Sequence, residues 1–171
     1  MLFFKVLAAL ASLPRALGVA DLLLIKPVSG AYYTATVDYQ QAIALGFTVD
    51  AVNTTQWLAM TTSAFSQYKS LVVNPYGVAS GGDFSSFKFL IDSKARWAPA
   101  VTGNMIIVGT DPGNHGRTIP GAAALISHSV NFTARGSGPG FYLQMPSTGG
   151  DATVGTKVDP LDYFGRFMYR T

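Results

Sequence analysis

The chain has 171 residues, no cysteine and a formal net charge of +3; 49% of its residues are hydrophobic and 12% are charged. This length predicts a single domain, and this composition excludes an intrinsically disordered chain. The absence of cysteine excludes disulfides, thiolate metal sites and a cysteine nucleophile.

Residues 1–20 have the pattern of a secretory signal peptide. Residues 2–13 form an apolar run interrupted only by Lys5, and residues 18–20 place small side chains at the two positions that a signal peptidase reads. The run is too short to span a membrane, and no later segment is long and apolar enough. We expect secretion of a mature chain that begins at Asp21 and has no membrane span. The alternative is that this stretch forms a first buried helix or strand.

The positive charge does not indicate nucleic-acid binding. Two of the 12 basic residues, Lys5 and Arg15, lie in the predicted signal peptide, which leaves ten against nine aspartates and a net charge of +1 for residues 21–171. These basic residues are spread singly along the chain, whereas a nucleic-acid site needs clustered lysines and arginines. The expected partner of a secreted chain is an extracellular or cell-wall ligand.

Two acceptor triplets for N-glycosylation agree with secretion: they begin at Asn53 and Asn131. Asn53 ends a predicted strand and enters a polar loop. Asn131 follows the apolar stretch 122–130, which we expect to cover it in part. We therefore predict that glycans attach more readily to Asn53 than to Asn131.

Five short apolar runs predict five β-strands, and helical or turn-rich stretches separate them. The strands are residues 22–25, 47–52, 70–75, 104–109 and 140–145, and the main helices follow Thr36 and cover residues 84–97 and 122–130. Strands that alternate with helices predict a three-layer α/β domain, with a five-stranded, mostly parallel sheet and helices on both faces. The domain covers residues 21–146. Residues 147–171 are an extension that packs on the domain edge or begins a segment that this chain lacks.

Local patterns predict where one helix ends and how another is oriented. Gly46 stands where a helix ends in a left-handed glycine. In the helix at 84–97, side chains at three- and four-residue spacing predict an apolar stripe. These side chains are Phe84, Phe87, Leu90, Ile91 and Ala95.

Several runs of sequence resemble one group of proteins. The runs are Leu45-Gly46-Phe47-Thr48-Val49, Trp57-x-x-Met60-Thr61, Trp97-Ala98-Pro99-Ala100-Val101 and Gly109-Thr110-Asp111-Pro112. Over residues 21–146 the chain resembles the secreted flavodoxin-like, class I glutamine-amidotransferase-like domains of fungal and bacterial surface proteins. The resemblance implies a flavodoxin-like strand order and an extracellular location, and little chemistry.

The resemblance carries over no catalytic residue. Catalytic members of that class use a cysteine at a sharp strand-to-helix turn, and this chain has none. The turns at residues 74–77 and 110–113 do not match the Gly-x-Ser-x-Gly pattern that would present a serine instead. We therefore expect a protein without catalytic activity.

Ligands of open parallel sheets bind beyond the carboxyl ends of the strands, so the loops there hold the candidate ligand-binding residues. Tyr32, Tyr33 and Tyr76 are placed to stack on sugar rings, and Asp111 and His115 share the loop after the fourth strand. For Asp111 we favour a structural role, in which its carboxylate accepts a hydrogen bond from the amide of Gly113 or Asn114. The alternative is that Asp111 meets a ligand or His115.

Other kinds of site are less well supported. The glycine-rich stretch 77–83 has Asp83 where a phosphate loop needs lysine, and Thr34 and Thr36 are better explained as helix caps than as an anion cradle. The loop that carries Asp111 and His115 does not fix a metal-ligand spacing with His128. No metal or cofactor is expected.

The sequence thus predicts a secreted noncatalytic domain for surface interaction or ligand binding, with a glycan as the candidate ligand. The alternative is a divergent hydrolase that uses Ser80, His115 and Asp111 in the loops at the strand ends.

Overall fold

The computed structural model describes residues 19–26, 33–74, 87–110, 112–145 and 159–165. The predicted signal peptide lies outside these residues, apart from its last two positions. The strands are β1 (Leu22–Ile25), β2 (Val49–Val52), β3 (Ser70–Val73), β4 (Met105–Val108) and β5 (Gly140–Gln144). The helices are α1 (Val37–Ala44), α2 (Thr54–Ala59), α3 (Thr62–Phe65), α4 (Lys88–Trp97), α5 (Pro112–His115) and α6 (Pro120–Ala134). Short 3-10 turns lie at Tyr33–Ala35, Ala98–Ala100 and Asp159–Phe164.

The five strands form one sheet in the order β2-β1-β3-β5-β4, and every neighbouring pair is parallel. The predicted three-layer α/β class is confirmed. The flavodoxin-like order, which would be 2-1-3-4-5, is wrong at one edge, because β5 lies between β3 and β4. Burial agrees with the observed order: all five residues of the inner strand β5 are buried, whereas the four residues of the edge strand β4 are half-buried.

Helices cover both faces of the sheet. Along β1, Leu22 and Leu24 pack in the layer of α1 and α6, while Leu23 and Ile25 pack in the layer of α2, α3 and α4. Alternate side chains of a strand point to opposite faces, so a strand covered on both faces is apolar at every position. This is why β1 is a continuous apolar run.

Two tryptophans anchor the layer of α2, α3 and α4. The Trp97 ring stacks on Phe141 of β5 with 4.7 Å between centroids, and the Trp57 ring packs against Phe65 at 4.8 Å. Both indole N–H groups are satisfied in the core: Trp57 donates to Ser93 Oγ at 3.0 Å, and Trp97 donates to the Leu90 carbonyl at 2.8 Å.

Two helices differ in detail from their predictions. The predicted stripe of α4 is right at Phe87 and Leu90, which are buried, but Ile91 and Ala95 are exposed. Phe89, Ser93 and Trp97 are buried in addition. Helix α6 runs to Ala134 rather than ending at residue 130, so Asn131 lies inside it.

The turn at Asp159–Phe164 packs on α4. Leu161 is buried, the Phe164 ring lies 5.8 Å from the Trp97 ring, and Lys94 pairs with the carboxylate of Asp162. At these residues the extension is therefore part of the packed structure. The rest of the extension lies outside the described residues. Among the helices that the structure describes, none combines the length and the apolar character needed to cross a membrane.

A buried polar cluster at the carboxyl edge

Three polar side chains meet inside the layer of α1 and α6, at the carboxyl edge of the sheet. Asp38 lies in the first turn of α1, which begins after the capping residue Thr36. Asn74 directly follows β3, and Gln144 ends β5. Val73 is in register with Leu143, so Asn74 and Gln144 extend neighbouring strands side by side and towards the same face.

Hydrogen bonds join these side chains into one network. The carboxylate of Asp38 accepts from the Asn74 amide at Oδ2 and from the Gln144 amide at Oδ1. Gln144 Oε1 accepts in turn from the backbone N–H of Gly113 at 3.0 Å. Asp38 and Gln144 are 0% exposed and Asn74 is 3% exposed, so the network is sealed from solvent. It ties together α1, the ends of β3 and β5, and the start of α5, and we refer to it as the Asp38 cluster.

Gly113 lets the backbone of α5 approach this closely. A Cβ at this position would lie 2.9 Å from Asn74 Nδ2 and 3.0 Å from Gln144 Oε1, closer than side chains normally pack. A side chain at this position would therefore have to displace the amide groups of Asn74 and Gln144, which glycine leaves in place.

Burial changes the acidity of the cluster. It raises the pKa of Asp38 from 3.8 to about 6, although the hydrogen bonds from Asn74, from the backbone and from Gln144 act in the opposite direction. A buried carboxyl with a shifted pKa at the carboxyl edge of a parallel sheet is typical of a functional site.

Two buried hydroxyls extend the cluster along β5 and α6. Burial, and next the charge of Asp38, raise the pKa of Tyr142, while Ser129 and Gln144 lie beside its hydroxyl and oppose part of the rise. Neither Tyr142 Oη nor Ser129 Oγ makes a hydrogen bond of good geometry with a residue that the structure describes.

Aromatic and basic side chains lie at the same edge. Tyr33 is half-buried in the turn before α1, where its ring meets Tyr39 edge-on at 5.4 Å. The ammonium of Lys26, just after β1, lies 5.3 Å from the Tyr33 ring centroid. Arg117 donates to the Ala35 carbonyl at 2.6 Å and so ties the connection after α5 to this turn.

The structure describes only some of the predicted site residues. Tyr33 lies at the carboxyl edge, and His115 is exposed at the end of α5. The other predicted residues lie outside the described residues: they are Tyr32, Tyr76, Ser80 and Asp111.

Two further points of the sequence analysis, the hydrogen-bond donor to Asp111 and the surroundings of His128, can be compared with the described residues. The Gly113 amide, one of two donors predicted for Asp111, donates to Gln144. His128 is exposed in the middle of α6, and within the described ranges no three potential metal ligands come together.

The predicted glycosylation residues differ in environment. Asn53 is exposed and caps α2, with its Oδ1 accepting from the Gln56 N–H at 2.8 Å. Asn131 is half-buried in α6, and its Oδ1 accepts from Arg135.

No sequence pattern identified Asp38, Asn74, Gln144 and Gly113 as members of one site. The signal for two of them is a single amide residue at the carboxyl end of a buried apolar strand. Comparison of the chain with protein-family models, with curated proteins and with solved structures gives no match.

Proposed function

We propose that this chain is an extracellular, noncatalytic α/β domain that binds a ligand at the carboxyl edge of its sheet, with a glycan as the candidate ligand. The observation that carries the proposal is the Asp38 cluster. A core built for stability alone would fill this position with apolar side chains, because buried polar groups must each be satisfied and seldom add net stability. Here the network holds four chain segments in one arrangement where parallel sheets bind their ligands.

The sequence supports the remaining parts of the proposal. The leader pattern at residues 1–20 and the two glycosylation triplets support an extracellular location. The absence of cysteine and of a serine elbow supports a noncatalytic role. The resemblance to secreted surface domains of the amidotransferase-like class supports both.

Tyr33 supports the glycan as ligand class. Aromatic side chains recognise sugars through their apolar ring faces, and Tyr33 stands at the carboxyl edge, directly before the helix that carries Asp38. Its contacts with Tyr39 and Lys26 hold the ring in one orientation, which lowers the entropic cost of binding.

A glycan array probed with the purified protein tests the proposal, together with a panel of esterase and amidase substrates. We expect binding without turnover. Tyr33→Ala should weaken binding about tenfold, the equivalent of about 1.4 kcal/mol. Tyr163→Ala is the matched control, because Tyr163 is exposed on the turn that packs on α4 and should leave binding unchanged.

Two results would contradict the proposal. If no glycan binds, the ligand class is wrong. If a substrate of the panel is hydrolysed and His115→Ala abolishes that turnover, the chain is a hydrolase.

A further inference from the structure

The two edges of the sheet differ in how well they are protected against pairing with another strand. At the β2 edge, Asp50 places a carboxylate in the middle of the strand, where it accepts a hydrogen bond from the Tyr68 hydroxyl at 3.1 Å. A charged residue on an edge strand is a common protection against further pairing. At the other edge, β4 consists of Met105, Ile106, Ile107 and Val108, with no charge and no proline.

The hydrogen bonds to β5 show which backbone groups of β4 point outwards. Phe141 N donates to the Asn104 carbonyl at 3.0 Å, and Met145 N donates to the Val108 carbonyl at 2.8 Å. Backbone groups alternate along a parallel strand, so Ile106 and Val108 direct theirs to β5. Met105 and Ile107 direct their N–H and C=O groups away from the sheet. Among the residues that the structure describes, no strand pairs with this side of β4.

An apolar stripe of α6 lies next to this edge. Leu125 and Phe132 are seven residues apart on one side of the helix and are 39% and 49% exposed. They flank Ser129, which lies beside Tyr142 of β5, the strand adjacent to β4. The Phe132 carbonyl also accepts from Asn104 Nδ2 at 2.8 Å, directly before β4. Helix α6 contains no charged residue over its 15 positions.

We propose that β4 and the Leu125–Phe132 stripe form the interface of a symmetric dimer, in which β4 pairs antiparallel with β4 of a second copy of this chain. A two-fold axis at Ile106 places Met105 opposite the partner's Ile107, and each such pair exchanges two backbone hydrogen bonds. The two sheets then form one continuous sheet of ten strands.

The stripe on α6 selects a second copy rather than an unrelated extended peptide. A peptide added to β4 would satisfy the backbone but leave Leu125 and Phe132 in water. The two-fold axis keeps both copies of α6 on the same face of the sheet and runs them in opposite directions. Leu125 of one copy then meets Phe132 of the other, and no charged side chain of α6 opposes this contact.

Sedimentation equilibrium of the purified protein and of three variants tests the dimer. We expect the wild-type protein to reach twice the chain mass at micromolar concentration. Leu125→Lys should weaken the association at least about tenfold, because it brings a charge against the partner's Phe132. Ile43→Lys is the matched control: Ile43 is 46% exposed on α1, and the association should change by less than about twofold. The double variant Leu125→Lys with Phe132→Glu should recover the dimer, because each lysine then faces a glutamate.

Amide hydrogen exchange tests the strand pairing separately. The amides of Met105 and Ile107 should exchange slowly in the wild-type dimer and fast in the Leu125→Lys variant, whereas those of Ile106 and Val108 should be slow in both. The proposal is overturned if the wild-type protein is a monomer at about 100 μM. It is also overturned if Leu125→Lys and Ile43→Lys weaken the association equally, or if Met105 and Ile107 exchange fast in the dimer.

Discussion

Asp38 is a carboxyl group that the fold buries completely, and within the described residues its hydrogen-bond donors are neutral amides. Neutral donors offset only part of the cost of removing a carboxylate from water. That is why burial dominates and raises the pKa of Asp38 to about 6, although two side-chain amides donate to the carboxylate. Burial therefore favours the protonated form of Asp38 more than the protonated form of an exposed aspartate.

This shift predicts how stability depends on pH. The pKa of Asp38 is 3.8 without the fold and about 6 within it, so the folded state holds a proton that the unfolded state has lost. The stability contributed by this proton is complete below pH 3.8 and is lost as the pH rises to about 6. The loss amounts to about 3 kcal/mol, since one pKa unit corresponds to about 1.4 kcal/mol. Urea unfolding of the wild-type protein and of Asp38→Asn at pH 4, 5, 6 and 7 measures it.

The comparison with Asp38→Asn isolates this group from the other titrating residues. The free energy of unfolding of the wild type should fall relative to that of Asp38→Asn by about 2 kcal/mol between pH 4 and pH 7, because part of the full loss has already occurred at pH 4. Asp92→Asn serves as the control, because Asp92 is exposed on α4 and pairs with Lys88 at 2.6 Å. If the pH dependence of the free energy of unfolding is the same in Asp38→Asn as in the wild type, another group causes it.

Gly113 gives a second prediction at the residue scale. Gly113→Ala adds a Cβ against the amide groups of Asn74 and Gln144, and we expect it to lower the free energy of unfolding by about 1–3 kcal/mol. Gly121→Ala is the matched control, because a Cβ there meets no atom within 4 Å and helices favour alanine over glycine. Thermal unfolding of both variants measures the effect. An equal response of the two variants would show that the close approach at Gly113 is not needed.

The Asp38 cluster shows where sequence reasoning ended. The sequence places Asn74 after one apolar strand and Gln144 at the end of another, and the parallel sheet puts both at the carboxyl edge. The sequence does not indicate the strand register that places Val73 beside Leu143, or the strand order that makes β3 and β5 neighbours. Asp38 could not be linked to them for the same reason, since an aspartate in the first turn of a helix is already explained by its favourable interaction with the helix dipole.

At the scale of elements, local sequence predicts both ends of α1. Thr36, one of the two threonines predicted as caps, caps the helix, and Gly46 follows the helix with a φ of +83°, as predicted. The orientation of α4 was harder to predict, because Phe89, Leu90 and Ile91 are consecutive apolar residues and only two of them face the core. Their spacing fits more than one stripe. In the structure, α4 is rotated so that Phe89, Leu90, Ser93 and Trp97 are buried and Ser93 accepts from the Trp57 indole.

The cap of α2 gives a prediction that separates its structural role from glycosylation. Asn53 and Gln56 form a reciprocal capping box, and Asn53→Ala should cost about 1 kcal/mol. Asn53→Ser should keep most of the stability, because the serine hydroxyl also caps a helix, while both variants remove the glycosylation triplet. Chemical unfolding of protein made without glycans measures the cap. Equal loss in the two variants would contradict the capping role.

Glycopeptide mass spectrometry of secreted protein tests the modification itself. We expect higher occupancy at Asn53 than at Asn131, because Asn53 is exposed and its Nδ2, where a glycan attaches, is not the atom that caps the helix. Asn131 is half-buried in α6 and accepts from Arg135. Equal or reversed occupancy would contradict the prediction.

At the scale of the whole molecule, the alternation of strands and helices was enough to predict a parallel three-layer fold, but not the strand order. The runs MIIV and FYLQ are similar in length and apolar character, so neither identifies itself as the edge strand. Only the packed structure distinguishes them, since β5 is buried on both faces, with Phe141 stacked on Trp97 in one layer and Tyr142 packed in the other. An edge that looks like an inner strand is also what makes β4 available to a second copy.

The contacts of Asp21 give the last prediction. Among the described residues, Asp21 is the first whose side chain bonds to the sheet: its carboxylate accepts from Thr48 N at 3.0 Å and pairs with Lys69 at 2.9 Å. Its own backbone N–H donates to Thr48 Oγ1 at 2.9 Å, and strand pairing begins at the next residue. Cleavage before Asp21 leaves all of these contacts in place, because the new ammonium group can still donate to Thr48. Amino-terminal sequencing of secreted protein should therefore begin at or near Asp21. A mature protein that retains Met1, or that begins within β1, would contradict this prediction.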